Sequence, residues 1–511
     1  MKMKSNQMNQ KVLHCTQKGI IMARLVVMGG GVSGHTAATF AKKWLGDAHE
    51  VIVVTPNSQW NWIPSNIWVG VGQMQKKDVV FPLAPIYKKA GIDYKQARAT
   101  EIHPNGKEGN DTPYIVIQST KKGEEGKTQE LTYDYLINAT GPKLNFDATP
   151  GLGNGKGQMG NNTVSVCTAD HAVHANLELK QVFEKAKNGE RQKILVGTGH
   201  GMCTCQGAAF EYIFNIEHEA RKAGIRDMLD IKWISNESFL GDFGMGGLHM
   251  KVGGYTVSSK LFAESLYAER NVDWIIGAHT SKVEKGKIEY ELLDGTMHEE
   301  TFDFAMLIPP FSGVGFKAYD KDGSDITDVL FAPNGFMKVD AKYDAGAYEN
   351  WKASDWPRTY QNPTFKNIFA AGIAFAPPHL ISKPMSSPNG TPINPTPPRT
   401  GMPAGIIGKA VARSVCALIT NGKEAHLHEA SMAEMGAACV ASAGKGLLDG
   451  TAAAMTVYPV VPDFEKYPGT GRDTDYTFGE IGLAGHWIKH ILHHMFIYKA
   501  KLKPGWTLIP E

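Results

Sequence analysis

Leu25-Val-Val-Met28 runs without a break into Gly29-Gly30-Gly31-Val32-Ser33-Gly34, and this stretch decides the fold. The four apolar residues read as a buried strand. Gly29, Gly31 and Gly34 then match the Gly-x-Gly-x-x-Gly turn that opens a helix. Such a turn combines a tight bend, close approach of backbone to a pyrophosphate and close packing of helix on strand, with the helix amino end facing the phosphates. Val51-Ile-Val-Val54 follows as a second strand and completes a βαβ unit. The acid that often receives a ribose at this point is missing, because the strand ends in Thr55-Pro56-Asn57.

The pattern returns once. Lys193 to Val196 reads as a strand entering Gly197-Thr-Gly199-His-Gly201-Met202, with a helical stretch from Gln206 to about Ala223. Met202 stands where the third glycine belongs, and its side chain obstructs both helix packing and nucleotide approach. Cys203-Thr-Cys205 follows at once, so sulfur stands where a second nucleotide would bind.

A chain of 511 residues is too long for one core and suits three compact units. A hydrophobic content of 42% with 20% charge reads as globular, and 53 basic against 51 acidic side chains gives no footprint for a nucleic-acid partner. Residues 1–21 are polar and basic without an apolar core, which argues against a cleaved signal and reads as a disordered extension. No uninterrupted apolar run approaches the ~18 residues of a membrane span. The six cysteines, at 15, 167, 203, 205, 416 and 439, are too few for a disulfide scaffold and lack the spacing of a zinc site, so no metal is expected. Cys416, in the helical pattern Ile406 to Leu418, reads as a buried inert thiol.

Tyr135-Leu-Ile-Asn138 reads as a buried strand ending in Ala139-Thr140-Gly141-Pro142, and Asn367-Ile-Phe-Ala-Ala-Gly372 has the same shape. Nine prolines between Pro377 and Pro403 exclude helix and central strand there, and a helix from Gly405 to Leu418 follows. Near the end, Ala484, Trp487, Ile488, Ile491, Leu492, Met495 and Phe496 recur at helical spacing, with Lys489, His490, His493 and His494 on other faces. Four lysines and one acid lie beyond Ile481, so the segment suits an anionic membrane surface. The expected fold is α/β, two tandem Rossmann-like doubly wound units plus a C-terminal amphipathic membrane-binding region. The division is 22–155 with 330–420 as one discontinuous unit, 156–329 as the second, and 421–511 as the C-terminal region.

Several strings together resemble the sulfide:quinone oxidoreductases and the related flavocytochrome c sulfide dehydrogenases over about residues 23–435. They are Gly29 to Gly34; Trp62-Ile-Pro64-Ser65-Asn66-Ile-Trp68-Val-Gly70; Ala139-Thr140-Gly141-Pro142-Lys143; Ser165-Val-Cys167-Thr-Ala-Asp-His171; and Cys205-Gln-Gly-Ala-Ala-Phe-Glu211. Phe243-Gly-Met-Gly-Gly247, Asn362 to Phe369 and Arg399-Thr400-Gly401 also match. The resemblance implies FAD in the first unit, held by Gly29, Gly31, Val32, Ser33, Gly34, Thr55, Pro64, Asn66, Thr140, Gly141, Gly372, Arg399, Thr400 and Gly401. It implies sulfide attack on a cysteine disulfide or polysulfide, electrons passing through FAD to a membrane quinone, and a peripheral, monotopic seat on the membrane. Trimers or dimers are expected from the same likeness.

Residue by residue, Cys205 falls on the central redox cysteine of that family, at a helix amino end that lowers a thiol pKa. Cys167 falls on a further family cysteine, Glu211 on an acid that can take the sulfide proton, and His171 is a second acid/base candidate. The partner cysteine is the departure: its string reads Ser431-Met-Ala-Glu-Met-Gly436, with serine in its place. Cys439 is the expected substitute, and Cys203 competes but would close a strained ring with Cys205. Asp242 stands where many relatives carry histidine. Trp487 and Phe496 are the expected quinone contacts. Two other readings stay open: a type II NADH:quinone dehydrogenase, and a non-catalytic flavoprotein that binds polysulfide. A cytochrome-linked sulfide dehydrogenase subunit fits less well, because it would carry an export signal.

Overall fold

The computed structural model describes residues 22–199, 201, 206–399 and 401–511. Leu25 to Met28 are fully buried on both faces, as a central parallel strand requires. Their sheet runs in the order Ile368–Ala370, Tyr135–Asn138, Arg24–Met28, Glu50–Thr55, Asp93–His103, Tyr114–Ser119, Thr128–Thr132. The first five are mutually parallel. Met28 pairs with Val54 and with Asn138, and Asn138 pairs with Ala370. The carboxyl ends of four strands therefore lie level, and the first glycine turn leaves from the middle of that edge. Ligands of doubly wound sheets bind along such an edge.

A four-stranded, wholly parallel sheet repeats the plan in the order Val272–Ile275, Leu229–Ile234, Gln192–Thr198, Phe304–Ile308. The central strand runs two residues further than its hydrophobic pattern indicates. Gly197 and Thr198 belong to the strand, and a Cβ on Gly197 would stand 1.8 Å from the Ile234 carbonyl oxygen. Gly197 is thus a packing glycine, and the turn begins only at Gly199.

Helix Val32–Leu45 packs on helix Met402–Asn421, where a Cβ on Gly408 would meet the Ser33 carbonyl oxygen at 2.5 Å. The second helix starts earlier than its apolar pattern, directly after Gly401. Among the described residues it alone is long and apolar enough to cross a membrane, although Lys409 and Arg413 interrupt its apolar run. Most of it is buried in the body of the protein, where it serves as a core helix.

The C-terminal region holds more strand than its composition indicates. Ala437–Gly444, Gly450–Val457 and Phe478–Gly482 join His249–Val252 and Tyr255–Ser258 of the second unit in one five-stranded sheet. Helix Leu483–Ala500 lies across it. The proline-rich segment is free of helix and of extended strand over its described residues from Pro377 to Arg399, as expected, but its last proline, Pro403, lies in the first turn of helix Met402–Asn421, where its missing N–H costs no helical bond.

Candidate active site

The first glycine turn is built for close approach. A Cβ on Gly29, whose φ is +110°, would sit 2.1 Å from the Ala139 carbonyl oxygen, and one on Gly34 would sit 2.1 Å from the Gly29 carbonyl oxygen. Gly31, Gly141 and Gly401 differ, because a Cβ on any of them would meet no protein atom within 4 Å. Helix Val32–Leu45 has no side-chain cap at its amino end. The buried Ser33 hydroxyl has no hydrogen-bond partner among the described residues. Open glycines beside an uncapped helix and an orphan hydroxyl fit a dinucleotide cofactor.

Of the remaining residues assigned to that group, Thr55, Thr140 and Gly372 lie around this turn, and Arg399 holds the segment after Gly372. Thr55 is buried at the end of its strand, and Gly372, with φ +63°, rests on Ser33. Thr140 donates through its hydroxyl to Asn138 Oδ1 at 2.8 Å. Pro64 lies in the short turn Ile63–Ser65, and buried Asn66 makes reciprocal bonds with Asn61. Arg399 is 1% exposed; it donates to the carbonyls of Ile373 and Phe375 and stacks over Phe336, and its Nε has no partner among the described residues. Burial lowers its pKa to about 9. Thr400 lies outside the described residues.

The short helix Asn66–Gly70 is the junction of the site. Asn66 donates to the Val166 carbonyl, next to Cys167, at 3.2 Å. Tyr212, next to Glu211, donates to the Gly70 carbonyl at 3.2 Å. Trp68, fully buried, stacks on His490 with ring centres 4.5 Å apart. One helical turn thus gathers the Cys167 string, the helix that follows Cys205 and the C-terminal helix.

Cys203 and Cys205 lie outside the described residues, but the helix that Cys205 precedes, Gln206–Lys222, is placed. Cys439 sits on strand Ala437–Gly444, half-buried, and a methyl group on Gly207 would stand 3.0 Å from its sulfur. Gly207 is a position beside this sulfur that sequence reasoning missed; its signal was a glycine inside the first turn of a helix, where it costs ~1 kcal/mol against alanine. Ser431 is buried in a separate turn, where its hydroxyl accepts from the Ala433 N–H.

Glu211 is 4% exposed, and Lys489 of the C-terminal helix donates to its Oε2 at 2.9 Å while the Ser442 N–H reaches Oε1 at 3.3 Å. Burial raises the carboxyl above its usual range, and the two donors oppose that rise. His171 follows the Thr168 cap of helix Ala169–Lys187, with its ring edge-on to Phe146 and its Nδ1 buried without a partner among the described residues. Burial lowers its pKa.

The C-terminal helix is amphipathic in the reverse of the ordinary sense. Trp487, Ile488 and Ile491 are 40, 47 and 60% exposed, while His486 and His493 are buried. Phe496 departs from the expected apolar face and turns inward, stacked on Trp62 at 4.8 Å. Trp487 faces outward and donates to the Leu447 carbonyl. The two expected quinone contacts are therefore not brought together.

Among the described residues, the chain itself covers part of the carboxyl end of the second parallel sheet. Asn236 donates to the carbonyls of Gly201 and Asn394, and a Cβ on Gly244 would stand 2.1 Å from the Thr396 carbonyl oxygen. The proline-rich segment thus supplies part of this cover. Glu237, three residues beyond strand Leu229–Ile234, stands about where a ribose acid belongs. It is fully buried, accepting from the Phe243 N–H and the Ser235 hydroxyl at 2.7 Å each. Asp242 is also buried, accepting from the Gly244 N–H and the Ser382 hydroxyl, so it holds a turn.

Two parallel-sheet units, one open at its glycine turn and the other partly covered by its own chain, define an oxidoreductase with a flavoprotein fold. No protein-family model matches the chain. It is 29% identical over 479 residues to the sulfide-quinone reductase of Aquifex aeolicus, covering 93% of this chain and 91% of that one. The crystal structure of the Aquifex aeolicus sulfide:quinone oxidoreductase superposes with a TM-score of 0.70 at 27% identity, over 94% of this chain and 92% of that one. The NDH2 of Plasmodium falciparum shares the fold at TM-score 0.60 and 12% identity, over 94% of this chain and 96% of that one. Within its class, the chain is a homologue of the sulfide:quinone oxidoreductases.

Proposed function

We infer that this protein is a membrane-associated sulfide:quinone oxidoreductase that oxidises sulfide to zero-valent sulfur or polysulfide. The observation that carries this reading is the Cys439 sulfur lying against Gly207, two residues after Cys205, with Glu211 one turn further along the same helix. The working division is the FAD unit at 22–155 and 330–420, the cysteine-bearing unit at 156–329 and the membrane region at 421–511.

FAD, held by the first glycine turn with Thr55, Pro64, Asn66, Thr140, Gly141, Gly372 and the Arg399–Gly401 segment, supplies a two-electron acceptor that quinone can reoxidise. The chain's residues do the sulfur chemistry. Hydrosulfide attacks a Cys205–Cys439 disulfide; one S–S bond forms, one breaks, and a persulfide and a thiolate result. The amino end of helix Gln206–Lys222 favours the thiolate at Cys205. Glu211, held in a dry site where its carboxyl is easily protonated, takes the sulfide proton. Cys167, next to the Val166 carbonyl bound by Asn66, is the third sulfur and a carrier for a growing chain. His171 is a secondary proton acceptor.

The outward apolar stripe Trp487, Ile488 and Ile491 continues into Leu447, Leu448, Phe478 and Ile481, all exposed. This patch seats the protein on the membrane, where quinone is drawn from the lipid. The partly covered end of the second sheet disfavours the NADH dehydrogenase reading. The test is anaerobic: sulfide bleaches the oxidised flavin band, a short-chain ubiquinone restores it, and NADH does neither. Absence of bleaching by sulfide overturns the proposal, and bleaching by NADH moves the protein to the dehydrogenase class. Cys205→Ser that keeps flavin but loses bleaching separates an enzyme from a polysulfide binder.

A further inference from the structure

An amphipathic helix that exposes its apolar residues must bury its polar ones, and helix Leu483–Ala500 buries an ordered set. His486, His490 and His493 follow one another at helical spacing on the inner face. His486 Nε2 lies 2.9 Å from the Gly446 carbonyl oxygen, which can only accept, so this nitrogen carries the hydrogen. Nδ1 then accepts from the Ser442 hydroxyl at 2.7 Å. Ser442 also donates its N–H to Glu211. His490 lies edge-on to His486, ring centres 4.6 Å apart, and its Nε2 is buried without a partner among the described residues. One turn on, His493 Nδ1 lies 2.8 Å from the Ser65 hydroxyl. Ser65 stands between Pro64 and Asn66, so the set ends beside the cofactor cradle. His494 packs against His493 and is exposed to solvent.

We propose that this inner face is the proton path of the enzyme, running from Glu211 through His486, His490 and His493 to Ser65, with His494 as its opening to water. The inference rests on the sulfide:quinone reading. In that reaction hydrosulfide gives up one proton and two electrons on becoming zero-valent sulfur, and quinone gains two of each. The net reaction takes up one proton from water, and the inner face offers the proton released at the sulfur site a route to the quinone-reducing side. Burial lowers the pKa of His490 and of His493 to about 4, so each rests as a neutral imidazole with one donating and one accepting nitrogen. The charged and titratable groups facing the set are Lys489 on the same helix, Glu211, Asp78 near His493, and Asp449 near His486.

The test separates the half-reactions in the full-length flavin-loaded protein, using sodium sulfide and a short-chain ubiquinone. His490→Gln and His493→Gln should leave sulfide-driven bleaching within about twofold, and should slow quinone-driven recovery by ~10- to 100-fold, with a larger solvent deuterium effect and partial rescue by imidazole. Recovery at the wild-type rate with an unchanged isotope effect overturns the path. Failure of the wild type to bleach overturns the parent reading instead. An activity-independent measurement guards against misfolded variants: in carbon-13 histidine-labelled protein, Glu211→Gln should shift the ring signals of His486 and His490. Unmoved signals at both overturn the proposal.

Discussion

Thr55 ends the second strand of the first unit, and Glu237 stands three residues past the corresponding strand of the second. The unit that lacks a ribose acid has an open glycine cradle, whereas the unit that has one has turned it inward and covered part of the cleft with Asn394 and Thr396. A motif is therefore a poor guide to occupancy when read alone. What decides it is whether the chain's own atoms fill the space at the carboxyl edge of the sheet. In the second unit, Asn394 and Thr396 of the proline-rich segment occupy part of that space.

The largest effect expected from this contrast is at Cys205. Replacing it by serine should reduce sulfide oxidation by at least ~10³-fold while leaving flavin content unchanged, because a hydroxyl cannot exchange with sulfur. Flavin content and sulfide-driven bleaching measured on one preparation check this. Loss of flavin along with activity would mean that the two units do not divide the work.

Glu237 gives the next largest effect, and its sign follows from linkage. Burial, with Asp242 beside it, raises this carboxyl from 4.5 to about 7. Between those values the folded protein holds more protons than the unfolded chain, so stability declines as pH rises through the window. Glu237→Gln removes the titration and should stabilise the fold by about 3 kcal/mol above neutral pH, with no gain below the lower value. Urea melts at mildly acid and mildly alkaline pH measure it. A flat difference across pH would mean that Glu237 is hydrated and free for a ribose.

The contrast of filled and open spaces also runs along helix Leu483–Ala500. Leu447 and Leu448, on the hairpin tip beside Trp487, are 71 and 82% exposed. Changing both to serine should weaken binding to anionic vesicles by about 2 kcal/mol, or ~30-fold, without altering bleaching by sulfide in detergent. Equal vesicle binding by the double variant would move the membrane seat elsewhere.

The first unit was legible because a hydrophobic run, three glycines and a helix carry its geometry locally. The C-terminal region was not. Strands Ala437–Gly444 and Gly450–Val457 are rich in alanine and glycine, residues of low strand propensity that hold their place here by pairing and burial. The helical spacing from Ala484 to Phe496 showed that one face is apolar, but periodicity is silent on which face the protein keeps. Glu237 escaped notice because it lies past the end of its strand, and its inward turn depends on the Phe243 N–H six residues later. Cys439 was recognised as a sulfur; its contact with Gly207 needed the hairpin sheet that brings the two together.

That contact supports the smallest and most discriminating prediction. Alanine at 207 gains up to ~1 kcal/mol of helix propensity, so a structural role alone predicts a slightly more stable protein with normal chemistry. The added methyl would stand 3.0 Å from the Cys439 sulfur, and the strand carrying it must give way by a few tenths of an ångström. If exchange between Cys205 and Cys439 depends on that approach, Gly207→Ala should slow sulfide-driven bleaching about tenfold with no loss of melting temperature. In the Cys439→Ser background the same change should cost nothing further, since the sulfur it displaces is gone. Additive losses in that cycle would show that Gly207 and Cys439 act independently, and the partner of Cys205 would then have to be sought at Cys167.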